Sequence, residues 1–83
     1  MISAIQAVNY ALQRYKDLKY TGVGYFYEGD YYVELAPLDY EAAFDRILVD
    51  SMYKVDGQTG QVSEYAPLID GFHDPKRIRP IKI

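Results

Sequence analysis

The residues able to do chemistry in this 83-residue chain form a short inventory. The one histidine, His73, stands beside Asp74 in Gly71-Phe72-His73-Asp74-Pro75. A His–Asp pair can orient a general base, but adjacent residues in a Gly/Pro loop rarely face one another, and no nucleophile accompanies them. A solvated loop histidine is the simpler reading. Cysteine is absent, which removes disulfides and thiolate chemistry. A metal site would therefore have to be built from carboxylates and would suit calcium or magnesium. Asp50 and Asp56 bracket an expected strand, yet Asp56-Gly57-Gln58-Thr59-Gly60 lacks the alternating acids of an EF-hand loop and reads as a turn. Gly22-Val23-Gly24 lacks the third glycine of a dinucleotide-binding loop and enters a hairpin. The sequence assigns no catalytic residue, no metal ligand and no cofactor, and the chain is expected not to be an enzyme.

What remains is surface. Ten tyrosines stand against three phenylalanines and no tryptophan. Tyrosine combines a large apolar face with one hydrogen-bonding tip, which suits half-buried strands and interfaces alike. Net charge is −3, unevenly distributed. Lys76, Arg77, Arg79 and Lys82 give the last eight residues +4, while five cations and all twelve acids leave −7 on residues 1–75. Eight of those acids lie between Glu28 and Asp56, against Arg46 and Lys54 alone. An acidic body disfavours nucleic acid as the main partner, because phosphate contacts need a basic face. It suits a basic protein partner or simple solubility.

The elements that must position these residues follow from periodicity. Ser3 and Gln6 match a capping box, and Ile5, Val8, Leu12 and Tyr15 recur at helical spacing, so a helix is expected over 3–17. Val23–Glu28 and Tyr31–Ala36 read as a hairpin around Gly29-Asp30, with Gly first as in a type II′ turn. That register pairs Phe26 with Val33, Gly24 with Leu35, Tyr27 with Tyr32, and Tyr25 with Glu34. Phe26, Val33 and Leu35 then dock on the helix, and Tyr25, Tyr27, Tyr32 and Glu34 form a partly exposed second face. The competing expectation is that the tail, or the segment around Phe44, covers this second face as another core layer. Pro37 ends the second strand, and Asp39 caps a short helical turn or opens a wide loop through Phe44. A third strand over Ile47–Val55 and a fourth over Gln61–Tyr65 flank the turn at Asp56–Gly60.

The expected fold is α+β: one N-terminal helix packed on a four-stranded antiparallel meander, in a single domain. Its core spans about residues 3–65. Residues 66–83 form an extended, Pro-containing basic tail for which Ile78, Ile81 and Ile83 are candidate anchors. No export signal is legible at Met1–Gln6 and no apolar run spans a bilayer, so a cytoplasmic location is expected.

Tyr53-Lys54-Val55-Asp56-Gly57-Gln58-Thr59-Gly60-Gln61-Val62 resembles the closing hairpin of PepSY-type domains, in which a strand ending in Val-Asp runs into a Thr-Gly turn. The N-terminal helix and the hairpin bearing Tyr32-Val33-Glu34 stand in the same order, and some small bacterial immunity proteins share that outline. The resemblance implies a binding or inhibitory module, often directed at peptidases and often at the cell envelope. No catalytic residues come with it. The expected function is thus a non-catalytic module that inhibits or neutralises a protein partner through Tyr25, Tyr27, Tyr32 and Glu34, rimmed by Glu28 and Asp30. The alternatives are a phage-type acidic inhibitor that mimics nucleic acid, and a structural module that forms a homodimer.

Overall fold

In a computed structural model, residues 1–38, 52–65 and 75–81 are described. The order is α1 (Ala4–Arg14), β1 (Leu18–Tyr27), β2 (Asp30–Pro37), β3 (Met52–Val55), β4 (Val62–Tyr65) and β5 (Arg79–Pro80), with a 3-10 turn at Pro75–Arg77. All ladders are antiparallel, in the order β4-β3-β2-β1-β5. The α+β architecture is the expected one, enlarged by a fifth strand where an extended tail was expected. The helical turn or loop from Asp39 through Phe44 and the start of the third strand at Ile47 lie outside the described residues, as does His73.

Helix α1 begins with a complete capping box. The Gln6 amide donates to Ser3 Oγ (3.2 Å) and the Ser3 amide donates to Gln6 Oε1 (2.8 Å). Its buried residues are Ala7, Val8 and Ala11, while Ile5 stands 56% exposed. Of the expected apolar stripe, Val8 is buried and Leu12 and Tyr15 pack against the core, and only Ile5 falls outside it. Two alanines one turn apart let the helix approach the sheet closely, where Tyr31, Val33, Leu35 and Val55 complete the core. Ile2 joins this core, its carbonyl accepting from the Tyr31 hydroxyl at 2.9 Å.

The first hairpin turns at Glu28-Gly29, one residue earlier than expected. Both residues have positive φ (49° and 84°), the combination of a type I′ turn. Pairing is Tyr25–Tyr32, Phe26–Tyr31 and Gly24–Val33, two residues away from the expected register. A slip of two preserves the faces, so the expected division of side chains survives. The turn moves because Asp30 is held in β2: its Oδ1 accepts from the Gly57 amide (3.1 Å) and its Oδ2 pairs with Lys54 (3.5 Å).

Strand β1 also starts earlier than expected, at Leu18. Between Tyr20 and Gly24 its register shifts against β2, so Thr21, Gly22 and Val23 oppose the single residue Glu34. This bulge uses Gly22 at φ 97°.

Candidate functional site

The tyrosine surface expected from the sequence is mostly interior. Tyr27, Tyr32 and Glu34 are 3%, 6% and 9% exposed, and only Tyr25 (half-buried), Asp30 (half-buried) and Glu28 (exposed) keep accessible surface. The expectation of an exposed face centred on Tyr27, Tyr32 and Glu34 is corrected accordingly. The physical reason lies in β2, the central strand, which is buried on both faces from Tyr31 to Ala36. The Tyr32 ring packs edge-on against Tyr27 (centroids 6.5 Å apart) and Tyr65 (4.7 Å). Burial pushes the Tyr32 phenol up to about 12, with Asp30, Tyr65, Glu28 and Tyr27 adding to the rise. Glu34 finds its polar seat in the bulge: Thr21 Oγ1 donates to Glu34 Oε1 at 2.9 Å and lies 3.4 Å from its carbonyl oxygen.

On the helix side, Tyr53 stacks on Tyr15 (centroids 4.4 Å). Burial raises the Tyr53 phenol, with Tyr15 and Glu64 assisting, and burial followed by the Glu34 charge raises Tyr20. A phenol held neutral in this way is no proton acceptor near neutral pH. Among the described residues no three of His, Cys, Asp and Glu gather as a metal-binding group.

The acidic run is internally engaged wherever it is described. Glu28 pairs with Arg77 (3.6 Å), Asp30 with Lys54 (3.5 Å), and Glu34 with Thr21. Asp56 Oδ1 accepts from the Thr59 (3.0 Å) and Gln58 (2.7 Å) amides, and these backbone donors hold its carboxyl below the usual range. The basic segment is likewise built into the fold. Arg79 and Pro80 pair with Phe26 and Tyr25, and the Ile81 amide donates to the Gly24 carbonyl at 3.0 Å. A depression of about 380 Å³ there is lined by Phe26, Glu28, Gly29, Lys76, Arg77 and Arg79.

Two surfaces missed by sequence reasoning stand out. One is the outward half of α1, where Ile5, Gln6, Asn9, Tyr10, Gln13 and Arg14 are all exposed. Arg14 is the helix's single charged residue, although a quarter of the whole chain is charged. The other is an open groove of about 470 Å³ between α1 and the start of β4, lined by Tyr10, Gln13, Arg14, Gly60, Gln61 and Val62. The Tyr10 ring lies close over Gly60, where an added Cβ would stand 2.8 Å from Tyr10 Cε2. The signal for the first surface was in the sequence: Ala4, Ala7 and Ala11 mark the side of the helix that faces the sheet.

No family model, curated protein or solved structure matches the chain. No helix of the described residues is long and apolar enough to cross a membrane.

Proposed function

We propose that the chain is a non-catalytic protein-binding module that neutralises a protein partner by covering part of its surface. The observation that carries this reading is the outward half of α1. It exposes Ile5 (56%) and Tyr10 (39%) with Arg14 as its single charge. Protein interfaces are depleted of charge at their centres and enriched in tyrosine and arginine. Solubility alone supplies no reason for a helix face with a single charge in a chain a quarter of whose residues are charged. The PepSY-like order of elements supports an inhibitory role, and the partner surface is proposed on α1 instead of the tyrosine face. The nucleic-acid-mimic alternative is ranked second. Of the eight acids between Glu28 and Asp56, the four described ones each have a partner within the molecule, and the other four lie outside the described residues.

The test is affinity capture from host lysate with the intact protein and with Ile5→Lys and Asn9→Lys, washed at low and high salt. Both positions are exposed, so the variants are expected to fold. A stoichiometric partner retained in high salt and lost from both variants is the expected result. Identical capture by wild type and variants would remove α1 as the binding surface.

A further inference from the structure

The two long edges of the sheet differ, and the open one points to self-association. Strand β4 ends the sheet, and Val62, Ser63 and Glu64 pair only with β3 among the described residues. The direction of their backbone groups follows from one hydrogen bond. The Asp56 amide donates to the Gln61 carbonyl (2.9 Å), which marks that position of the ladder as hydrogen-bonded. Positions alternate along an antiparallel pair, so Lys54–Ser63 is hydrogen-bonded, while Val55–Val62 and Tyr53–Glu64 are not. The N–H and C=O groups of Val62 and Glu64 therefore point outward. Such an edge is normally blunted by shortness, charge, proline or a bulge; β4 is short and carries Glu64 but has no proline, lysine or bulge.

A second copy of the chain can pair with this edge about a two-fold axis in few registers. Centring on Glu64 sets two carboxylates directly opposite each other. Centring on Val62 brings in Gly60, whose φ of 77° and amide bond to the Asp56 carbonyl take it out of strand geometry. Centring on Ser63 pairs Val62 with Glu64 of the second copy and the reverse, and uses every outward backbone group of both residues. Cross-strand partners share a face. Val62 lies on the helix side with Val55, so Glu64 of the second copy arrives beside Val62 in the groove lined by Tyr10, Gln13 and Arg14. Arg14 is the one charged residue lining that groove; its guanidinium lies 5.5 Å from the Tyr15 ring centroid and has no carboxylate partner among the described residues. Charge and register select the same occupant.

We infer that β4 forms an antiparallel two-fold dimer centred on Ser63, in which Glu64 of each copy meets Arg14 of the other. This goes beyond the proposed partner binding; the two surfaces share Arg14 at the end of α1, but Ile5 and Asn9 take no part in the dimer, so variants there separate the two proposals. A pair of four-residue strands buries less than the ~1,200 Å² of a standard interface, so the dimer is expected to be weak, with a Kd on the order of 100 µM.

Sedimentation velocity over about 10 µM to about 1 mM tests this, with circular dichroism confirming that each variant folds. The wild type should pass from monomer to dimer over that range. Glu64→Pro removes an outward N–H, a change that a solvent-facing edge tolerates, and should abolish the dimer. Arg14→Glu and Glu64→Arg should each weaken it about tenfold, and the double charge exchange should restore it to within about threefold of wild type. A wild type monomeric at every concentration would overturn the inference. So would a dimer indifferent to Glu64→Pro, or a charge exchange that fails to restore association. Loss of lysate capture by the α1 variants reads out the other proposal and leaves this one untouched.

Discussion

The two edges of this sheet are finished in opposite ways. At one, β1 is covered by the chain's own C-terminal strand across Tyr25 and Phe26. Pro80 offers no N–H to a further strand, Ile81 sits against Gly24, and Arg77 ties the approach to Glu28 at 3.6 Å. That edge carries the devices that suppress intermolecular pairing: a two-residue strand, a proline and a cluster of cations. At the other, β4 presents backbone groups beside a groove whose one charged lining residue is Arg14, with no proline and no cluster of cations. Basic residues that look like a solvated tail in the sequence turn out to close one edge, and this leaves β4 as the contrasting surface.

Both edges hang from β2, so the largest expected effect lies between them. Leu35 is fully buried and is among the largest side chains in the core. Leu35→Ala should cost about 2–5 kcal/mol in urea unfolding and should loosen both edges together. A loss confined to amides of one edge would show that the sheet is not one cooperative unit. Gly24→Ala separates the edges. A Cβ there would lie 2.7 Å from Ile81 Cδ1 and 2.9 Å from Ile81 Cγ1, both in a side chain that can swing away. The cost should be about 1 kcal/mol. Hydrogen exchange should show the Ile81 amide losing protection while the Asp56 amide, bonded to Gln61, keeps it. Equal deprotection of both would break the contrast between the edges.

The Tyr32 face shared by the inner strands gives a third effect, read with pH. Its phenol is raised to about 12 from an ordinary value of 10.0, so folding favours the neutral form. That contribution is complete below pH 10 and is lost as pH rises toward 12. Alkaline unfolding of the wild type should therefore set in across this window. Tyr32→Phe, which has no proton to lose, should shift the midpoint upward. An unchanged midpoint would place the alkaline instability elsewhere.

Much of the fold was legible because its signals are local. The capping box at Ser3 and Gln6, the alternation in the two hairpin strands and the turn at Asp56–Gly60 each declare themselves within a few residues. The faces of the hairpin were legible too, since a register error of two leaves side chains on the same side. The failures come from non-local causes. Ile5 was placed in the stripe by its spacing to Val8 and Leu12, whereas close approach to the sheet turns the helix toward Ala7 and Ala11 and leaves Ile5 outside. The turn shifted because Asp30 bonds Gly57 and Lys54, partners 27 and 24 residues along the chain. Two expectations stood for the tyrosine face, accessible or covered, because alternation reports which side a residue takes, not whether that side is covered. Gly57 shows the same limit. It reads as ordinary turn chemistry, yet a Cβ there would collide with the Gly29 carbonyl oxygen, which only the packing of two turns reveals.

The smallest expected effect tests what holds the closed edge closed. Arg77 and Glu28 form a visible ion pair, but their side chains are 65% and 44% exposed. Exposed pairs are worth about 0–1 kcal/mol and are screened by salt, whereas the contacts at Gly24 and Ile81 are apolar and backbone in kind. Arg77→Gln should therefore change stability by less than about 0.5 kcal/mol, a difference that vanishes near 1 M salt. Protection of the Ile81 amide should survive in the variant. Loss of that protection would mean that charge, not Ile81, fastens β5. The closed edge would then open in high salt and become a second site for strand addition, and the difference between the two edges would hold only at low ionic strength.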